Sequence, residues 1–292
     1  MTWKHLSATL SKSESDPNED AMCLSADLLS IADGASSGFD SGRWSRTLVE
    51  NARVLVECLA SPIPSDPCEP PTKASRHQRF RVLSRRFAEL QTRASTSPSP
   101  SEPWYVSEAR RRGGASTFAV ARYWEETGML DVWAIGDTCW FIVREDVIQR
   151  SFPIEDAGKF PIQPRLLRSM PSNRSSWSRI GDLLRSFPPK NSSSPSGKKL
   201  GFFLRVDFKP AHDRLVGATD AVAQWLLHEN VDVRKERMTE LIQSIERGPT
   251  SFQELIEAQR ECGAMKRDDS TALVATWEPK AQSDVSTLEA EP

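Results

Sequence analysis

The chain has 292 residues, 38% of them hydrophobic, with nine Trp and twelve Phe, enough to bury a substantial core in one large domain or two small ones. A formal charge of −2 and a pI of about 6.2 exclude a bulk electrostatic pull toward nucleic acid or anionic lipid. Five cysteines, odd in number and without a Cys-x-x-Cys pair, exclude a disulfide framework and a zinc knuckle and fit a reducing compartment.

The first 16 residues lack the apolar core of a signal peptide, and no stretch approaches the ~20 apolar residues that span a bilayer. A cytoplasmic protein is expected. Residues 22–32 read as one or two short strands leading into the Asp33-Gly34 turn. From 41 to 60 the pattern is helical, with Trp44, Leu48, Ala52, Leu55 and Leu59 at three- and four-residue spacing and Asp40 or Ser41 as N-cap. Pro62, Pro64, Pro67, Pro70 and Pro71 break the chain into an exposed linker, and a second helix follows on Phe80, Leu83, Phe87 and Leu90. Segment 94–103 is low-complexity. The arginines at 76, 79, 81, 85, 86 and 110–112 read as solvated helix faces rather than a nucleic-acid surface.

Strand signals dominate from 115 to 152, in four runs split by Gly128, Gly136-Asp137-Thr138 and Glu145-Asp146, and their tight spacing predicts an antiparallel meander. Residues 153–200 are Pro/Ser-rich, with 192–197 the clearest loop. Strands are expected at 201–206 and 214–220, helices at 221–229, 232–247 and 251–262, and a last strand at Ser270–Trp277. The tail 278–292 is polar, acidic and expected to be disordered. Strands and helices come in blocks without βαβ alternation, which predicts an α+β layered architecture. The expectation is a single domain over 1–277, with insertions near 61–74, 94–103 and 153–200.

Acidic motifs run through this frame: Asn18-Glu19-Asp20, Asp33-Gly34, Gly136-Asp137-Thr138, Thr219-Asp220 and Asp268-Asp269. Taken singly, an Asp-Gly pair is a turn and Thr-Asp a helix start. Together, placed at strand ends and turns, they predict one polar site assembled from distant parts of the chain. Carboxylates without nearby His or Cys are hard ligands, suited to Mg²⁺ or Mn²⁺ rather than Zn²⁺.

The motifs, in this order, resemble the metal-dependent serine/threonine protein phosphatases of type 2C, the PPM family. The resemblance runs from residue 18 to 277 and is carried by Asn18-Glu19-Asp20-Ala21, Ala32-Asp33-Gly34, the loop 35–42, Gly113-Gly114-Ala115-Ser116-Thr117, Gly136-Asp137-Thr138, Ala218-Thr219-Asp220-Ala221 and Asp268-Asp269-Ser270-Thr271. It implies a four-layer α-β-β-α sandwich, two antiparallel β-sheets flanked by helices, with two Mn²⁺ or Mg²⁺ ions in a cleft at one end. It further implies that Asp33 bridges the ions and that Glu19, Asp20 and the Gly34 carbonyl serve one of them. Asp220 and Asp268 would serve the other, and Asp137 a third, weaker ion. The chemistry implied is hydrolysis of phosphoserine and phosphothreonine by a water bridging the two ions, with Asp33, Asp220 and Asp268 as its catalytic core and no protein nucleophile. A phosphorylated protein substrate and a cognate serine/threonine kinase are the implied partners, with neither nucleic acid nor membrane.

Two departures stand out. The family's phosphate-gripping Arg in the first strand corresponds to Ser15, and Ala221 replaces a Gly after Asp220. Lys12 is the nearest cation, a point charge rather than a bidentate fork, and Arg43 and Arg46 are the other candidates for the phosphate. The missing Arg leaves an alternative: a pseudophosphatase that binds a phosphoprotein or kinase with weak or no turnover. A phosphatase of small molecules would use the same metal chemistry. Segment 153–200 lies where the family carries its flap and is expected to influence substrate choice.

Overall fold

The structure, a computed structural model, describes residues 2–59, 73–95, 101–170 and 202–278. Most of the expected insertions, the loop at 192–197 and the tail from 279 lie outside the described residues. Two five-stranded antiparallel sheets form the centre of the fold. The first has the order β1 (Thr2–Leu10), β12 (Ser270–Glu278), β11 (Arg214–Ala218), β7 (Cys139–Arg144), β8 (Val147–Phe152). The second runs β10 (Phe202–Asp207), β6 (Met129–Ile135), β5 (Phe118–Trp124), β3 (Leu28–Ala32), β2 (Ala21–Leu24). A two-stranded ribbon joins β4 (Ala115–Ser116) to β9 (Leu167–Arg168).

The period of two along each strand sorts its side chains into separate cores. On β5 and β6, Ala119, Ala121, Tyr123, Leu130, Val132 and Ala134 face inward, where they meet Trp140, Ile142, Leu215, Leu273 and Trp277 of the first sheet. Phe118, Val120, Trp133 and Ile135 face outward, under α1 (Ser41–Glu50), α2 (Ala52–Leu59) and α3 (Lys73–Ala94). On the other outer face Phe141, Val143, Val216, Ala218, Ala272 and Val274 are covered by α5 (Asp220–Leu226), α6 (Val231–Arg247) and α7 (Pro249–Glu261). Three cores between four layers make this an α-β-β-α sandwich, and strands buried on both faces explain why their sequences read as nearly continuous apolar runs. Among the described residues no helix is long and apolar enough to cross a membrane.

Two expectations need correction. The helix read over 41–60 is two helices broken at Asn51, and Asp40 stands at the N-cap position in a left-handed conformation (φ 56°) without a side-chain capping bond. The four strands of 115–152 do not form one meander. β5 pairs with β6 and β7 with β8, while Gly136-Asp137-Thr138 carries the chain from one sheet to the other. The N-terminal residues form a full edge strand, β1, paired with β12 from Thr2–Glu278 to Leu10–Ser270. Only Trp3 and Ala8 of β1 are buried, so its sequence shows no clean alternation. A helix at α4 (Trp104–Arg112) was also not legible, because it buries no residue at all. Arg111 and Arg112 pair with Glu108, and Arg85 and Arg86 with Glu89, each within its own helix, as solvated faces do, while Arg110 pairs with Glu102 just before α4.

Candidate metal centre

The ends of β3, β6, β11 and the start of β12 meet at one end of the sandwich around a cavity of about 400 Å³. Asp33, Asp137, Asp220, Asp268 and Lys266 line it together with an apolar wall of Phe160, Pro161, Ile162, Pro164 and Leu166. That wall is tied down by β9, which pairs with β4, and by the Trp44 indole N–H donating to the Leu167 carbonyl at 3.0 Å.

Backbone bonds aim the acids. Asp33 leaves β3 with its carbonyl accepting the Thr117 N–H and the Ser116 hydroxyl, both at 2.9 Å, and its own N–H donating to the Thr117 hydroxyl at 3.2 Å. Gly34 lies against the Asn18–Asp20 turn so closely that a Cβ there would stand 2.6 Å from the Glu19 carbonyl oxygen. Asp137 follows Gly136, whose φ of +94° is reserved for glycine and whose absent Cβ would stand 2.5 Å from Thr117 Cγ2. Gly136→Ala should therefore lower the folding free energy by about 1–3 kcal/mol and cut activity by displacing Asp137. A urea midpoint and turnover both equal to wild type would contradict this.

Asp220 opens α5, and the preceding Thr219 hydroxyl donates to Asp20 Oδ2 at 3.0 Å. Asp268 and Asp269, in the bend before β12, serve different tasks. Asp268 lines the cavity, whereas the buried Asp269 accepts the backbone N–H groups of Lys12 and Glu19, both at 2.7 Å. Asp269 thus clamps the N-terminal loop to β12 and fixes the height of the Glu19-Asp20 pair.

Crowding shows in the electrostatics. Asp33 and Asp20 are both held well above the usual carboxylate range, first by burial. Asp33 is pushed further by Asp20, Asp220, Asp137 and Asp268. Burial and then Asp220 raise Asp137 to about 7. Asp220 is raised by burial against the opposing pull of Lys266. Asp20 Oδ1, Asp137 Oδ1 and Asp220 Oδ1 are buried with no hydrogen-bond partner. The Lys266 ammonium hydrogen-bonds Asp220 and lies 3.4 Å from Asp268 Oδ2.

Among the described residues no three acidic, His or Cys side chains converge closely enough to cage an ion as they stand. The donor set nevertheless fits a hard divalent cation. It is all oxygen, it carries several like charges in one cavity, and buried oxygens of Asp137 and Asp220 in it, and of the adjoining Asp20, lack any donor.

Of the residues singled out in the sequence, Asp33, Gly34, Asp137, Asp220 and Asp268 line the cavity. Asp20 and Glu19 lie just behind Gly34, and Glu19 is 3.5 Å from the Lys12 ammonium. That ammonium donates to Ser36 Oγ at 2.7 Å, and Ser36 lines the cavity, so Lys12 sits at its rim with fixed partners. Arg43 donates instead to the Arg93 carbonyl on α3, and Arg46 is exposed on α1; neither lines the cavity. Ser15 is exposed in the loop after β1. Lys266 and the clamp at Asp269 escaped sequence reading. A lysine two residues before an acid pair carries no pattern, and its partners are 46 and two positions away.

No protein-family model matches the chain, and no curated protein matches it. Solved structures do. The photosystem II phosphatase PBCP is similar over 94% of this chain and 99% of its own, at 15% identity and a TM-score of 0.45. The catalytic domain of the serine/threonine phosphatase PstP, solved with two manganese ions, aligns over 94% and 98% at 14% identity and 0.42. The serine/threonine phosphatase Stp1 from Staphylococcus aureus aligns over 96% of both chains at 14% identity and 0.42. The solved structures to which the chain is similar are thus PPM-type serine/threonine phosphatases, matched over nearly their full lengths.

Proposed function

We propose that the protein is a metal-dependent phosphatase of phosphoserine and phosphothreonine in proteins. The observation that carries this is the set of carboxylates, delivered from separate strand ends to one cavity, with unpartnered buried oxygens and raised proton affinity. Asp33, Glu19, Asp20 and the Gly34 carbonyl would hold one Mn²⁺ or Mg²⁺. Asp220 and Asp268 line the same cavity, where the resemblance implies a second ion, and Asp137 would be an outer ligand. When bound, such ions lower the pKa of water and neutralise phosphate oxygens. The chain's own residues do the rest. Thr117 and Ser116 hold the Asp33 backbone, and Asp269 sets the position of Glu19. A phosphorylated protein is the substrate, a serine/threonine kinase its counterpart, and the cytoplasm the expected compartment.

Assaying phosphate release from a phosphothreonine peptide and from p-nitrophenyl phosphate, both with Mn²⁺, tests this. Peptide turnover with a higher kcat/KM is expected. Preference for the small ester would point to a small-molecule phosphatase. Binding of the phosphopeptide without turnover would favour the pseudophosphatase reading, which the serine at position 15 and the lysine-bridged acids both support.

The phosphate grip can be probed separately. Lys12→Ala should raise KM for the phosphopeptide several-fold, because its ammonium is held at the rim by Ser36 and Glu19. Ser15→Arg should raise kcat/KM by up to about 1.5–3 kcal/mol, the value of a charge-assisted hydrogen bond. An unchanged KM in Lys12→Ala would remove that residue from substrate binding.

A further inference from the structure

Lys266 is held in place by the fold around it. It sits in the loop between α7 and β12, where the N–H groups of Ala264 and Met265 both bond to the Gln259 carbonyl at 3.0 Å. The Met265 side chain is buried in the core beneath the helices. On the far side of Lys266, the Arg260 guanidinium donates to the Asp268 carbonyl and, at 3.0 Å, to Ser270 Oγ. The loop is therefore braced before and after the lysine, and it delivers the ammonium into the cavity between Asp220 and Asp268. Those two acids share the cavity with Asp33, and Lys266 is the cation that contacts them.

We infer that Lys266 stands in for a second cation, its ammonium neutralising Asp220 and Asp268 so that the chain takes up one divalent ion, on the Asp20–Asp33 side, rather than two. This rests on the metal-dependent reading above. An ammonium is a cation with donors only and no room for ligand water. It neutralises the two acids, which could hold a divalent ion only after its displacement. Placing a second divalent ion beside it would set like charges a few ångströms apart in a partly desolvated cavity, where their repulsion is weakly screened. The oxygens without partners remain on the other acids as well: Asp20 Oδ1 and Asp137 Oδ1 carry no donor, and they are left for the one ion.

The test is the number of ions bound by the chelator-stripped full-length protein, read by calorimetric titration with Mn²⁺ and by electron paramagnetic resonance of the free ion. One Mn²⁺ per chain is expected for wild type and for Lys266→Arg, and two for Lys266→Met, with the first site's affinity changed less than threefold. Two ions on wild type, or one on a Lys266→Met variant whose circular dichroism is native, would overturn the inference while leaving the metal-dependent reading intact. If Lys266→Met does not fold, Lys266→Gln serves in its place, and the wild-type count decides by itself. No ion bound to wild type would overturn both.

Discussion

Asp33→Asn is expected to lower kcat/KM for a phosphothreonine peptide by about 10²–10³-fold, the cost of removing one preorganised electrostatic group from a reaction centre. Asp33 is the carboxylate against which Asp20, Asp220, Asp137 and Asp268 all press. Its loss would remove the charge at the centre of this cluster, which the proposed metal centre needs. The folded protein should not suffer, because asparagine keeps the shape and relieves repulsion among buried acids. The melting temperature in EDTA should be equal to or above that of wild type. Asp220→Asn and Asp268→Asn should also lower turnover, by loosening the Lys266 ammonium they hold in the cavity, and Asp137→Asn should slow turnover without unfolding. Full activity in Asp33→Asn would remove the residue from the centre, and lost activity with a collapsed melting temperature would reduce it to a structural role.

The metal-free protein is expected to lose stability as pH rises from about 4 to about 7, and Mn²⁺ to restore it. The sign follows from the direction of the shifts. Asp137 has a carboxyl whose ordinary value of 3.8 is raised to about 7 in the folded chain, and Asp20 and Asp33 move the same way. The folded state holds these protons more tightly than the unfolded chain, so their contribution is fully present below about pH 4 and is lost as pH rises through the folded value, at up to about 1.4 kcal/mol per pH unit for each group. Asp27, lowered by its bond to Arg53 against its own burial, works in the opposite sense, but its contribution is complete above its ordinary value of 3.8. It therefore does not mask the effect between pH 5 and 8. A divalent ion that binds only the folded state adds about 2.7 kcal/mol at a hundred times its Kd. Melting curves at pH 5 and pH 8, in EDTA and in Mn²⁺, read both effects. A melting temperature in EDTA that rises toward pH 8 and ignores Mn²⁺ would contradict them.

Much of the layered fold was legible because strands buried on both faces must be apolar throughout. The runs around Val120, Val132 and Phe141 carried that signal, and the stripe Met238, Leu241, Ile242 and Ile245 marked α6. The acids of the cavity were legible by type and order, since turns at strand ends keep their residues in register with the sheet. What escaped depends on partners distant in sequence. β1 gains its structure from the ladder with β12 rather than from its own pattern, and the Gly136 turn looks like any hairpin until the two sheets are assembled. The tasks of Asp268 and Asp269 differ only because the N-terminal loop comes to rest on one of them. Lys266 gains its place from a loop held by Arg260 and Met265.

The central claim, that these carboxylates work through a bound divalent ion, is tested most directly by following phosphate release from a phosphothreonine peptide through one cycle of metal removal and return. Every proposed ligand is an oxygen, with no His or Cys to retain an ion against a chelator. Turnover should fall to background in excess EDTA and return in full when Mn²⁺ is added beyond the chelator. Undiminished turnover in excess EDTA would contradict the account.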